Sequence, residues 1–399
     1  MKRLPLALAC LALPAFAASV WFAFVRPIEP IMPSYLELAE ALSRGETARG
    51  FEPLGYPALI AGWLGGIERT LRVVHALCLW GVWAIVAWLV LRMATQDRDG
   101  TRRGRPWWLW GWIAFWLATI FLNPYFLIGL PRVSDSAVNI LLIGAVFACA
   151  LAAREARWRD WTLAGLALGF FVLVRPNSIT LIVALAVIAW LAGTPWSRPL
   201  VAAIAALATF VALSWTLTGA PAFWPKNGGY NLFAGNNPFA YAELVGNHNA
   251  EYSLDKGLRW CGVEGDRYSV PDDAYLRCTI RFVAENPGEF AKLTAYKAYS
   301  MLFRPNLKLA DTLPKIAIQY AILLPALLWW ALFIVSHRFR VSLPGVSGFL
   351  FVLSYAAPFA LTNADPRFRI PLDVVYAMSA LAFALGDRLP IRRASRSRS

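Results

Sequence analysis

Long apolar runs recur along this chain, broken by short polar stretches in which arginine is the commonest charge. A helix needs about 20 apolar residues to cross the ~30 Å hydrocarbon core of a bilayer. The pattern therefore predicts about ten spanning helices, at 4–25, 71–93, 107–122, 136–152, 161–174, 179–193, 199–219, 315–335, 344–362 and 371–387. Two stretches need a decision. Residues 57–68 are apolar, but about 12 residues are too few to cross, so they are expected to lie at the interface. Residues 161–193 are too many for one span, and Arg175-Pro176-Asn177 sits in their middle, so two short spans meeting at a turn are expected.

Between the first two spans, Pro33 to Gly45 carries a helical pattern. Ser34-x-x-Glu37 has the form of a capping box. Tyr35, Leu38, Ala39 and Leu42 share one face, with Glu37, Glu40 and Arg44 opposite and Gly45 as a C-cap. This predicts a short helix lying on the membrane surface, apolar side down.

Charge then sets the orientation. Arginines cluster at Arg98/Arg102/Arg103/Arg105, at Arg154/Arg157/Arg159, at Arg198, at Arg338/Arg340 and at Arg388/Arg392/Arg393/Arg396/Arg398. The positive-inside rule places these clusters in the cytoplasm with Lys2 and Arg3, which requires the spans between them to come in pairs. Both termini are then cytoplasmic. The first loop (26–70), the loop at 123–135, the Arg175 turn, a large loop at 220–313 and residues 363–370 are outside. The N-terminal apolar run continues past the candidate cleavage point Ala15-Phe16-Ala17 to full spanning length, which predicts an uncleaved anchor.

Composition agrees. The 399 residues are 58% hydrophobic and 16% charged, with 19 tryptophans, a balance suited to a single integral membrane domain (1–399) with a basic tail at 388–399. The net charge of +14 is dealt out between apolar runs rather than gathered on one patch, which argues against a nucleic-acid partner. Cys10, Cys78 and Cys149 lie in apolar spans, whereas Cys261 and Cys278 share the large loop, where an oxidising exterior favours a disulfide.

Candidate chemistry lies on the outer side. Residues 26–57 of the first loop hold five glutamates. Glu37 belongs to the helix and Glu40, Glu46 and Glu52 read as solvated charges, which leaves Glu29, between two prolines, without a structural task. Ser134 or Asp135 precedes a span and reads equally as its N-cap or as a catalytic group. Arg175 ends an apolar half-helix, either snorkelling to water or binding an anion as a planar guanidinium does. Arg367 and Arg369 are basic residues on the side where the rule disfavours them. Residues Lys226 to Pro238, which include Asn236 and Asn237, read as a Gly/Asn-rich loop of tight turns whose amides suit sugar hydroxyls. The three histidines (His75, His248, His337) show no metal spacing, and there is no Walker, dinucleotide or G-x-S-x-G motif.

Taken in order, several pieces resemble the GT-C glycosyltransferases, in particular bacterial relatives of protein O-mannosyltransferases and of lipid A aminoarabinose transferase. They are Pro33-Ser34-Tyr35-Leu36-Glu37-Leu38-Ala39 with Gly55-Tyr56-Pro57, Ser134-Asp135-Ser136, and Ala164-Gly165-Leu166 leading to Arg175-Pro176. Gly235-Asn236-Asn237-Pro238, Asn286-Pro287-Gly288-Glu289-Phe290 with Lys297, and Arg367-Phe368-Arg369-Ile370-Pro371 follow. The resemblance implies an all-α polytopic fold in the bacterial inner membrane. It also implies inverting transfer of a sugar from a polyprenyl-phosphate carrier to a lipid, glycan or protein acceptor outside the cytoplasm. A carboxylate would act as general base and arginines would stabilise the leaving phosphate. Family members usually carry an aspartate four residues before the position of Tyr35. Here that position is Ile31, so Glu29, and second Asp135, are expected to take the acid/base role. Arg175, Arg367, Arg369, Lys226, Asn236, Asn237 and Tyr56 are expected to bind substrate. A divalent metal assists some relatives, and this sequence gives no clear ligand set for one. Two rival readings are a transporter and a non-catalytic relative.

Overall fold

A computed structural model describes residues 3–29, 33–46, 53–95, 107–152, 157–219, 228–246, 253–264, 269–303, 317, 320–321, 324, 343–362, 368 and 370–384. Among these the chain is helical, and its only extended pairing is a bridge between Glu29 and Arg132. The first half comprises α1 (Arg3–Val20, ending in a π-helical turn at Trp21–Val25), α2 (Pro33–Ser43), α3 (Gly55–Leu59), α4 (Ile67–Thr95) and α5 (Trp107–Phe121). It continues with α6 (Pro124–Gly129), α7 (Ser136–Leu151), α8 (Trp158–Val174), α9 (Leu181–Leu191) and α10 (Ser197–Thr218). Then come α11 (Gly228–Gly235), α12 (Ala240–Val245), α13 (Leu254–Cys261), α14 (Asp272–Glu285), α15 (Pro287–Phe303), α16 (Leu343–Leu361) and α17 (Ile370–Ala384).

Three helical stretches, Ile67–Leu91, Gly111–Gly129 and Ser197–Thr218, are long and apolar enough to cross a membrane. Shorter apolar helices fill Cys10–Val25, Ser136–Leu151, Pro176–Leu191, Val346–Leu361 and Ile370–Ala382. Most of the segment 315–335 lies outside the described residues. Residues 57–68 do not form a spanning helix: α3 ends at Leu59 and turns lead into α4 at Ile67. The break at Arg175 has a local cause. Proline disfavours helical geometry in the residue before it, and Arg175, ahead of Pro176, is extended at φ −142° and ψ 95°.

The core is built around α7 and α17, which are apolar and buried on nearly every side, as helices inside a larger bundle must be. α7 packs against α4, α8, α16 and α17. α10 is peripheral: it meets α8 along one seam and exposes Leu200, Ile204, Leu207 and Trp215 on the other face. In the seam a Cβ on Gly165 or Gly169 would lie 2.3 Å from the Ala202 or Ala206 carbonyl oxygen, so only glycine lets the two backbones approach this closely.

The first loop folds against the bundle. Tyr35, Leu38 and Ala39 are buried while Glu37 and Glu40 are exposed, as the helical pattern predicted, but the apolar face packs against α3, α4 and the protein core rather than lying on a membrane surface. α2 begins at Pro33, so Ser34 lies inside the first turn rather than ahead of it. Arg72 donates to the Ala23 and Arg26 carbonyls at 2.7 and 2.9 Å, tying the end of the first helix to the start of α4.

One expectation fails in the large loop. The Gly/Asn-rich stretch is a helix, α11, and neither Gly229 nor Gly235 has a positive φ. The reason is packing: a Cβ on Gly229 would sit 2.2 Å from the Asp272 carbonyl oxygen, and the Asp272 side chain accepts from the Gly229 and Tyr230 amides at 2.9 and 3.0 Å. α11, α13 and α14 share a small core of Tyr230, Phe233, Leu254, Leu258 and Tyr275, and the expected Cys261–Cys278 disulfide closes it.

Candidate functional site

A buried polar cluster lies where α7 begins and α8 ends. Asp135 occupies the N-cap position of α7, yet its side chain makes no capping bond. It turns instead to Arg175, whose Nη2 donates to Oδ1 at 2.7 Å. Nε lies 2.5 Å from Oδ2, but the contact lacks the direction of a hydrogen bond. The Asp135 side chain is 2% exposed and that of Arg175 15%, so the pair is nearly dry. Burial works against the Arg175 charge, but Asp135 beside it holds the guanidinium pKa above its ordinary value. Of the two readings open in the sequence, capping is not what the side chain does; it pairs with Arg175, a partner the sequence did not point to.

Aromatic rings enclose the pair. Phe368 lies over the Arg175 guanidinium at 4.2 Å and Phe359 at 6.0 Å, and these two rings meet at 4.7 Å. Tyr355, one turn before Phe359 on α16, packs against Phe359 at 5.2 Å and Phe171 at 6.4 Å. Tyr35 and Tyr56 approach from the first loop, their rings 5.1 Å apart. Gly55 makes this docking feasible, because a Cβ there would lie 2.8 Å from the backbone of Leu173 and Val174, immediately before Arg175.

Behind Tyr56 runs a short hydrogen-bonded chain. His75 Nδ1 lies 2.8 Å from the Leu130 carbonyl oxygen, which can only accept, so Nδ1 carries the proton. A neutral imidazole then leaves Nε2 as acceptor, and the Tyr56 hydroxyl, 3.0 Å away, donates to it. Burial, with Asp135 nearby, raises the Tyr56 pKa well above that of a free phenol, so Tyr56 is a neutral positioning group. It does not face an open pocket as expected, since it is fully buried and its proton is already committed.

Glu29 is placed differently. Its backbone pairs with Pro131 and Val133 at 2.8 and 3.0 Å, and its carboxylate accepts from Arg132 Nε at 2.9 Å. The residue that lacked a structural task thus has one: it staples the first loop to the loop before α7. Its side chain stays 42% exposed, which keeps the ion pair weak.

Asn236 and Asn237 are a correction. Both are buried with their amides spent inside the protein. Asn236 Nδ2 donates to Leu232 and Leu361, both at 2.7 Å. Asn237 Nδ2 donates to Phe233, Ala234 and Ser253 at 3.0, 3.3 and 2.9 Å. The Asn236 side-chain oxygen is taken by Lys297, which the sequence offered only inside a motif. Its buried ammonium donates to Asn236 Oδ1 (2.7 Å), Gly235 O (3.1 Å) and Thr362 O (2.8 Å). Three donors meet three acceptors, two of them carbonyls at the ends of α11 and α16, where the helix dipole favours a cation. Burial nevertheless lowers its pKa to about 7. The sequence also passed over Asp373, buried in the first turn of α17, which accepts from Asn123 at 3.2 Å.

Lys226, Arg367 and Arg369 lie outside the described residues. Among the described residues no three His, Cys, Asp or Glu side chains gather as a metal site requires, so no step here is routed through a metal. No protein-family model, curated protein or solved structure matches this chain.

Proposed function

We propose that this chain is a GT-C-type membrane glycosyltransferase with about ten spans and both termini in the cytoplasm, working in a bacterial inner membrane. It takes a sugar from a polyprenyl-phosphate carrier and passes it to an acceptor on the outer face. The observation that carries this is the meeting of separate sequence pieces in one buried cluster. Tyr35, Tyr56, Asp135, Arg175 and Phe368 lie together although they span most of the chain. The carboxylate and guanidinium lie at the ends of α7 and α8, which the arginine pattern assigns to the outer face of the membrane. Coupled transport, by contrast, calls for ionisable groups midway along the spans.

In this reading Asp135 is the general base and Glu29, tied to Arg132, holds the loop. Asp135 takes the proton of the acceptor hydroxyl as its oxygen bonds to the anomeric carbon. The bond from that carbon to the phosphate oxygen breaks on the opposite face, its electron pair leaving with the phosphate, so configuration inverts. Arg367 and Arg369, adjacent in sequence to Phe368, are the cations assigned to that phosphate.

The test is turnover. Purified protein in nanodiscs is incubated with labelled polyprenyl-phosphate sugars and envelope acceptors. Wild type is expected to transfer label and Asp135→Asn to lose at least about a hundredfold of that rate. Undiminished transfer by Asp135→Asn removes the base assignment, and absence of wild-type turnover across the donor panel removes the transferase reading.

A further inference from the structure

Asp135 occupies a cap position that it does not use. A residue that caps a helix holds an extended backbone, from which its side chain reaches the amides of the first turn. Asp135 has φ −72° and ψ 1°, and its carboxylate turns from those amides to Arg175 Nη2 at 2.7 Å. Capping is the default for an aspartate in this place, so something outside α7 sets its direction. The chain just before it is tied at four consecutive residues. The Leu130 carbonyl oxygen accepts from His75 Nδ1 at 2.8 Å, and the Pro131 carbonyl oxygen accepts from the Glu29 amide at 2.8 Å. Arg132 Nε donates to the Glu29 carboxylate at 2.9 Å, and the Val133 amide donates to the Glu29 carbonyl oxygen at 3.0 Å. A tight turn, with the Ser134 amide 2.8 Å from the Arg132 carbonyl oxygen, then delivers Asp135.

These ties come from two places. Glu29 belongs to the first loop and is partly exposed, whereas His75 is fully buried on α4, the helix against which α7 itself packs. His75 therefore holds the loop to the same support as the helix that follows it. The Tyr56 hydroxyl, 3.0 Å from Nε2, fixes the ring from its other side. We propose that His75, acting through Leu130, is a positioning residue for the base: with Glu29 it keeps the loop on the path that holds Asp135 off its own helix end and aims it at Arg175. The proposal rests on the transferase reading and adds to it a residue that touches neither substrate nor the reacting atoms. Once the ties are cut, Asp135 relaxes to the extended backbone of a cap and its carboxylate accepts from the first amides of α7. The base then points along its own helix instead of into the cluster.

Two substitutions divide the functions of the His75 ring. Asparagine brings an amide N–H to the reach of Nδ1 and keeps the bond to Leu130. Glutamine reaches as far as Nε2, keeps the bond to Tyr56 and leaves the Leu130 carbonyl without a donor. Glu29→Pro deletes the N–H that ties Pro131, at a place outside the core, and serves where His75→Gln does not fold. Kinetics are measured in nanodiscs with labelled polyprenyl-phosphate sugars and envelope acceptors, and each protein is imaged by cryo-electron microscopy. His75→Gln and Glu29→Pro are expected to lose at least about tenfold in kcat with the acceptor KM within about twofold, because a misaimed base costs rate rather than binding. His75→Asn is expected to recover kcat to within about threefold of wild type. In the maps of the two impaired variants the Asp135 carboxylate should have moved from Arg175 to the first amides of α7. A carboxylate still on Arg175 in either variant that folds, or a kcat loss in His75→Asn as large as theirs, overturns the proposal. If wild type itself transfers nothing, the transferase reading has failed, and the maps still decide whether His75 aims Asp135.

Discussion

Replacing Arg175 with methionine tests whether the buried ion pair holds the ends of α7 and α8 together. The variant leaves the Asp135 carboxylate, 2% exposed in the native protein, with no counter-ion. Breaking one side of a buried pair costs about 3–5 kcal/mol, because the remaining charge stays desolvated. The stacking of Arg175 under Phe368 at 4.2 Å adds about 1 kcal/mol, most of which a methionine sulfur on the same ring restores. The single change should therefore cost about 4 kcal/mol. Asp135→Asn should cost less, about 2–3 kcal/mol, since the Arg175 side chain is 15% exposed and keeps its aromatic roof. The double variant contains no buried charge and should cost only about 2 kcal/mol. The cycle then gives a coupling of roughly 4 kcal/mol in favour of the pair. Each form is unfolded in mixed micelles with increasing SDS and its stability read from tryptophan fluorescence. If the two single costs add to the double within about 0.5 kcal/mol, the pair is not coupled and the argument for the site loses its base.

Three further outcomes follow from the geometry. Burial lowers the Lys297 pKa to about 7 from the 10.5 of a free lysine, so between those values the unfolded chain holds a proton that the folded chain has shed. Stability to unfolding should therefore rise with pH from about 7 to about 10.5, and Lys297→Met should flatten that rise; equal slopes in the two proteins contradict the assignment. Gly169→Val drives a methyl-bearing Cβ toward the Ala206 carbonyl oxygen, 2.3 Å from its ideal position, and should lower stability by about 3 kcal/mol in the same denaturation series. Replacing Cys261 and Cys278 together by serine opens a link between residues 17 apart and should cost about 3 kcal/mol, seen as faster hydrogen exchange in α11, α13 and α14 with the bundle unchanged.

What was legible in the sequence was what local chemistry dictates. Pro176 announces the break at Arg175 because the constraint acts on its immediate neighbour. The buried face of α2 shows in the spacing of Tyr35, Leu38 and Ala39, and two cysteines in one exterior loop foretell their pairing. Relations across distance were not legible. Nothing near Asp135 says that its charge is matched by Arg175, 40 residues on, rather than spent on its own helix end. Glu29 looked idle because its partners, Pro131 to Val133, arrive from another loop. The Gly/Asn composition at 228–237 suggests turns, and only the approach of Asp272 and Lys297 shows that the same residues permit close helix packing and internal amide bonds.

The last turn of α16 touches two regions at once. Phe359 forms part of the roof over Arg175, while Leu361 and Thr362 offer their carbonyls to Asn236 and Lys297 of the helices outside the bundle. Three residues of helix rise by only about 4.5 Å, with no joint to absorb a displacement. The roof over Arg175 and the seat of the outer helices are thus built from one turn of a single helix, and any coupling between the two acts equally in both directions.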